Sequence, residues 1–302
     1  MTVPEYRTDS DAAKGCLLLF GLGYTGAAIA AAAWQAGMRV VATSRRPESV
    51  TPPQGVELIA FAAADAALPE ATHVLQTAPP NEDGDPALHR FGPALAAAPA
   101  LRWAGLLSTT GVYGDRGGAR VDEDTPPAPT GPRGRRRLEV ETAWRAAFAR
   151  CAVDLFRVAG IYGPGRSALD ELRAGRARRI DKPGHVFSRI HGDDIVRAVL
   201  AAMRQDRERR PRVLNLADDE PAPSADVVAE AAALLGIPAP PPMPFATAAA
   251  SMSDMARSFW AENRRVASRK TQERLGMPWQ YPSYREGLRA ILEQERRERL
   301  AQ

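Results

Sequence analysis

The sequence predicts an α/β protein, a doubly wound parallel sheet with a smaller C-terminal region. Three observations predict it. Short apolar runs alternate with helical or turn segments from Cys16 to Leu216. A cluster of glycines follows the first run at once and opens a small-residue helix. From Phe245 to the end the chain changes character and becomes polar and helix-rich. Strands separated by helices favour parallel pairing, because each crossover carries the chain back over the sheet and the helices then cover both faces.

Cys16-Leu17-Leu18-Leu19-Phe20 is short, apolar throughout and stops at glycine, as a buried strand does. The helix after it ends at Gly37, a C-terminal stop. Residues 39–43 are the second strand, 56–61 the third and 73–77 the fourth, and 105–108 end the fifth. The connection from third to fourth is short and holds Pro69, so no more than a helical turn is expected there. Val140, Ala143, Trp144, Ala147 and Phe148 fall at helical spacing and predict an amphipathic helix over 135–150. Residues 154–158 are a sixth strand and 213–216 another. Ser224 is expected to cap a helix with an apolar face of Val227, Ala231, Leu234 and Leu235, stopping at Gly236. The proline-rich stretch 238–244 reads as an extended crossing, and the Arg- and Glu-heavy tail as a solvated helix.

The bulk properties narrow the class. At 302 residues the chain can bury one large core or two modest ones. No apolar run reaches the length of a membrane span, and residues 1–14 are polar, unlike a signal peptide, so a cytoplasmic protein without a membrane partner is expected. Two cysteines, Cys16 and Cys151, suggest no disulfide framework, and Cys16 reads as a small buried hydrophobe. The net charge is only +4, with lysine confined to Lys14, Lys182 and Lys270. Without a supporting motif that balance gives no nucleic-acid partner, and no metal site is expected.

The glycine cluster is Gly21-Leu22-Gly23-Tyr24-Thr25-Gly26. A strand that ends in GxGxxG and opens a helix is the fingerprint of a Rossmann-type dinucleotide site. The first glycine allows a tight turn, the second leaves room for a pyrophosphate, and the third lets helix and strand approach. The helix start offers N–H groups and partial positive charge to the phosphates. Gly21, Gly23, Tyr24, Thr25 and Gly26 are therefore cofactor-binding candidates, with Thr77 and Ala78 at the end of the fourth strand. After the second strand, where NAD sites place an acid for the ribose hydroxyls, stands Ser44-Arg45-Arg46. A guanidinium grips a 2′-phosphate that a carboxylate would repel, so NADP(H) is favoured over NAD(H). The alternative is a solvated arginine pair on a loop. The expected division is 14–165 with 187–218 for the dinucleotide, and 166–186 with 219–302 for an unidentified small-molecule substrate.

Further segments carry a family resemblance. Ser108-Thr109-Thr110-Gly111-Val112-Tyr113-Gly114, Arg157-Val158-Ala159-Gly160-Ile161-Tyr162-Gly163-Pro164, Ile190-His191-Gly192-Asp193-Asp194-Ile195, and Asn215 with Pro221 occur in order. Together they resemble the extended short-chain dehydrogenase/reductases of the NAD-dependent epimerase/dehydratase type, and within them an atypical, YeeZ-like group. The resemblance implies a Rossmann fold and an NAD(P)-dependent oxidoreductase or epimerase. It also exposes a departure. The family's Tyr-x-x-x-Lys falls on Arg133 and Arg137, and the dehydratase Asp-Glu pair on Thr110 and Gly111. Arg137 can still hold ribose or phosphate oxygens, but an arginine cannot serve as the acid–base at neutral pH. Arg133 and Arg137, four apart on a helix, are expected to face one way and to invite an anion between them, or else to point into water. The family's serine position falls on Thr109, whose hydroxyl can donate. For the missing acid–base the candidates are Tyr113, Tyr162, His191 and Lys182, with Tyr113 preferred and a packing role open for each. A non-catalytic NADP(H)-binding sensor or scaffold is the alternative function.

Overall fold

The computed structural model describes residues 15–300. The polar start at 1–14, where no leader signal was read, and the last two residues lie outside the described residues. In chain order the elements are β1 (Cys16–Phe20), α1 (Tyr24–Gln35), β2 (Arg39–Ser44), β3 (Val56–Ala60), β4 (His73–Gln76), α2 (Pro86–Ala97), β5 (Trp103–Thr109), β6 (Arg120–Val121), α3 (Pro132–Ala147), β7 (Ala152–Val158), β8 (Gly160–Tyr162), α4 (Ala168–Arg173), β9 (Arg179–Asp181), β10 (Arg189–His191), α5 (Gly192–Arg204) and β11 (Pro211–Leu216). They continue with α6 (Ser224–Leu235), β12 (Pro242–Pro244), α7 (Phe245–Ala249), α8 (Asp254–Trp260), β13 (Arg265–Val266), α9 (Arg269–Leu275) and α10 (Tyr284–Leu300).

Seven strands form one parallel sheet in the order β11-β7-β5-β4-β1-β2-β3. The order runs one way from β1 through β2 to β3 and the other way from β4 through β5, which is the doubly wound arrangement. Its switch point lies between β1 and β4, where Phe20 is paired with Gln76. In open parallel sheets the crevice beyond the carboxyl ends of the strands at this point is the usual place for a ligand. Gly21 and Thr77 are the next residues of the two strands.

The chain divides into two compact units. One takes in the chain up to Thr109 with Arg135–Arg157 and Ile195–Leu214, and the other Thr110–Gly134, Val158–Asp194 and the chain from Asn215. The first unit holds the sheet and packs Phe20, Phe61 and Phe91 in an aromatic cluster, with ring centroids 5.3 to 6.0 Å apart, in the same core as the tilted ring pair Trp144 and Phe148. The second has several smaller cores. One gathers Tyr162, Leu169, Val227, Ala231, Tyr284, Leu288 and Ile291, and another joins Ile180, Ala248 and Trp260. Cys16 and Cys151 are buried and unbridged, and burial pushes the Cys151 thiol up to about 11.

Several expectations need correction. Between β3 and β4 the chain forms a succession of 3-10 turns over Phe61–Glu70, not a single helical turn, because Ala64, Ala67 and Leu68 give it a buried side. α3 begins and ends three residues earlier than 135–150, with Pro132 at the first helical position, where its missing N–H costs nothing. Ser224 is not a cap. It is the first residue of α6, after Pro223, and makes no capping bond. The C-terminal helix is not solvated all round, since Tyr284, Leu288, Ile291 and Leu292 form a buried stripe along its first turns. Gly37 and Gly236 do end their helices, both with positive φ, and Pro242–Pro244 is extended as expected and pairs with β9. No helix among the described residues is long and apolar enough to cross a membrane.

Candidate functional site

The glycine turn is built by β1 and β4 together. The Phe20 carbonyl accepts bonds from Thr77 N and Ala78 N at 3.0 and 3.1 Å, and the Thr77 hydroxyl donates to the Gly21 carbonyl at 2.8 Å. This closes the Thr77–Ala78 turn over Gly21, whose φ is +98° and where a Cβ would lie 2.9 Å from Ala78 N. A Cβ on Gly26 would meet the Gly21 carbonyl at 2.5 Å. These two glycines are demanded by the fold itself. Gly23 is different. It is the N-cap of α1 with an ordinary φ of −82°, and nothing lies within 4 Å of where its Cβ would be. No side chain caps α1 and no acid stands in its first turn, so the positive end of a twelve-residue helix opens beside that space.

At the end of β2 the Ser44 hydroxyl accepts the Arg46 N–H at 3.1 Å, forming a short turn. Arg45 and Arg46 are exposed, and neither guanidinium has an ion pair among the described residues. Arg137 is half-buried on α3 and donates to the Leu107 carbonyl of β5 at 2.9 Å, two residues before Thr109, which is itself partly exposed.

Sequence reasoning missed the side chains that hold this frame. Gln76 accepts the Ala78 N–H at 3.1 Å while its amide donates to Asp85 at 2.9 and 3.0 Å. Asp85 also caps α2 through Ala87 N and Leu88 N and accepts Trp144 Nε1 at 3.0 Å. Asp followed by Pro at a helix start was a readable capping signal. Beneath β5, Ser108 donates to Glu141 at 2.6 Å, and Glu141 pairs with Arg157 at 2.7 Å, both almost fully buried. No spacing in the chain announces that triad, because its members come from β5, α3 and β7.

The acid–base candidates occupy less accessible places. Tyr113 is fully buried, and its hydroxyl donates to Asn215 Oδ1 at 2.8 Å, which favours a packing role over the catalytic role the sequence preferred for it. Tyr162 donates to the Ser283 carbonyl at 3.2 Å, and burial raises its pKa. His191 is buried against the rings of Tyr162 and Tyr281. Its Nδ1 accepts the Asp193 N–H at 3.1 Å, and burial lowers its pKa to about 4. The Asp194 carboxylate opposes that shift by its charge and accepts the backbone N–H groups of Gln280 and Tyr281. Lys182 donates to the Trp260 carbonyl and lies over the Phe245 ring at 4.7 Å. The two family-position arginines have different surroundings, each within its own unit. Arg133 is exposed over the Phe259 ring at 5.1 Å, whereas Arg137 is held by β5.

No family model matches the chain. A conserved protein of unknown function from Silicibacter pomeroyi DSS is 43% identical over 93% of this chain and 99% of its own, with a TM-score of 0.85. A 3-diazoavenalumate denitrifying reductase from a Streptomyces species is 31% identical over 140 residues, 44% of this chain, and the chain spans only 45% of that relative. Two solved structures share the fold at low identity. MoeE5 in complex with UDP-glucuronic acid and NAD is 23% identical, with a TM-score of 0.72 over 94% of this chain and all of its own. A human epimerase family protein with NADPH is 22% identical, with a TM-score of 0.70 over 92% and 99%.

Proposed function

The chain belongs to one family with the conserved protein from Silicibacter pomeroyi, and from that premise we propose that it is an NADP(H)-dependent oxidoreductase or epimerase with an altered acid–base site. The observation that carries the proposal is the space beside Gly23. An open N-cap at the switch point of a doubly wound sheet, with the uncapped start of α1 facing it, fits a pyrophosphate. Solved structures of the same fold carry NAD or NADPH, and the partial relative is a reductase. The order of the sequence motifs supports the finer placement among short-chain dehydrogenase/reductases and their YeeZ-like group.

Each residue then has a task within the first unit. Gly21 makes the turn, Gly23 leaves room for the phosphates, and the N–H groups of Tyr24, Thr25 and Gly26 face them. Thr77 and Ala78 form the opposite wall. Arg45 and Arg46, with Ser44 beside them, grip the 2′-phosphate, and charge-assisted bonds of this kind are worth about 1.5–3 kcal/mol. Arg137 orients ribose oxygens, and Thr109 donates its hydroxyl to a substrate oxygen. The nicotinamide supplies hydride transfer when bound. A non-catalytic NADP(H)-binding protein is the second reading, and the sequestered hydroxyl of Tyr113 favours it.

Fluorescence titration with NADPH and NADH tests the proposal. NADPH is expected to bind at least about tenfold more tightly, and Ser44→Asp with Arg45→Ala to erase or reverse that preference. Absence of binding by either dinucleotide at millimolar concentration overturns the function, and equal affinities overturn the selectivity. Consumption of NADPH with a carbonyl substrate, or inversion of a hydroxyl-bearing carbon with no net change in the dinucleotide, separates the first reading from the second.

A further inference from the structure

We infer that the second unit carries a binding site of its own for a small organic anion, a phosphate or carboxylate on a compact apolar body. The site is a cavity of about 490 Å³ bordered by α4, α6 and α10. That volume lies within the range of small-molecule pockets.

The walls divide by chemistry. Val227, Val228 and Leu288 form an apolar side. The rest of the lining is rich in arginine and offers one carboxylate, Glu171, which is already bound to Arg176 at 2.8 Å. Arg178 and Arg189 have no ion-pair partner among the described residues. Arg189 directs Nη1 at the carbonyls of Phe187 and Ala222, at 2.9 and 3.0 Å, which fixes its fork at the cavity. The acid with most influence on it, Asp218, has no hydrogen-bond partner on either carboxylate oxygen, and burial pushes its pKa up to about 8 against the pull of Arg189.

An independent observation points to a ligand. Tyr284, which also lines the cavity, is 1% exposed, and its hydroxyl has no hydrogen-bond partner. A buried hydroxyl left unmatched is rare in native proteins, and so is a partly buried guanidinium without a counter-ion. A single anion accepting from the Tyr284 hydroxyl and the Arg189 fork satisfies both, while its apolar body covers Val227, Val228 and Leu288. Ser224, at the uncapped start of α6, lines the same cavity and adds a hydroxyl.

The test is calorimetric titration of the full chain with phenyl phosphate, benzoate and benzyl alcohol, all without dinucleotide, so that the result stands apart from the cofactor reading. At least one of the two anions is expected to bind and the neutral alcohol not to, with the stronger anion naming the head group. Tyr284→Phe is expected to weaken the anion about tenfold while leaving the unliganded melting temperature unchanged or raised, because it deletes an unmatched hydroxyl. Arg178→Ala is expected to weaken binding as well, and it avoids the risk that an Arg189 variant fails to fold. Failure of both anions to bind at millimolar concentration overturns the site. So does equal binding of the alcohol, or anion affinity unchanged in both variants.

Discussion

Gly23 and its two neighbours in the motif look alike in the sequence and differ in the structure. Gly21 needs a positive φ, and Gly26 needs its missing Cβ to clear the Gly21 carbonyl. Gly23 needs neither, and beyond its place as N-cap of α1 it leaves the open space that the proposed dinucleotide would use. Gly23→Val is therefore expected to fold, at a cost of no more than about 1 kcal/mol for a poorer N-cap, and to lose measurable dinucleotide binding. A variant that binds NADPH as the parent does would remove the phosphates from this loop. The motif was legible because its chemistry is local. The role of Tyr113 was not, because its partner Asn215 is 102 positions away and the exposure that separates a catalytic hydroxyl from a packed one is set by the fold.

Among elements, α3 shows how a polar helix is anchored. Its Glu141 reaches Ser108 on β5 and Arg157 on β7, joining three elements through one carboxylate out of water. Removing one partner of a buried ion pair strands the other charge, so Arg157→Ala is expected to lower the unfolding free energy by about 3–5 kcal/mol. Replacing both, Glu141→Leu with Arg157→Met, is expected to cost clearly less than the two single changes summed. Urea unfolding of the four proteins checks this, and strict additivity would show that the pair is not coupled. Apolar periodicity found α3 within three residues at each end but said nothing of this anchor. Periodicity likewise found the helical character of the C-terminal tail, while the arginines and glutamates of α10 concealed a buried stripe that only packing against α6 and α4 explains.

For the molecule as a whole, buried titratable groups set the response to pH, and they pull in opposite directions. His73 in the first unit and His191 in the second are held neutral by burial, with pKa values lowered to about 4 against 6.5 for a free imidazole. The unfolded chain binds their protons first, so the stability they contribute is present above about pH 6.5 and is lost as pH falls toward 4, by about 3 kcal/mol for each. Asp218 has the opposite sign. Its pKa is raised to about 8, so the folded form is favoured at low pH and penalised as pH rises from 3.8 through 8. Asp218→Asn is thus expected to raise the melting temperature at pH 8.5 and leave it nearly unchanged at pH 4, and His191→Phe to flatten the acid limb between 6.5 and 4. Thermal unfolding across that range decides both, and an Asp218→Asn curve parallel to the parent's would show that this carboxyl does not titrate on unfolding. By itself the sequence determined the alternation of strands and helices, the parallel doubly wound sheet and the glycine turn at the end of β1, because apolar period, turn chemistry and helix stops act over a few neighbouring residues. The tertiary structure decided which glycine leaves open space, which tyrosines are sequestered, and where unmatched polar groups gather beside α6 and α10. Those depend on burial and on partners brought together from distant parts of the chain, and no local pattern encodes either.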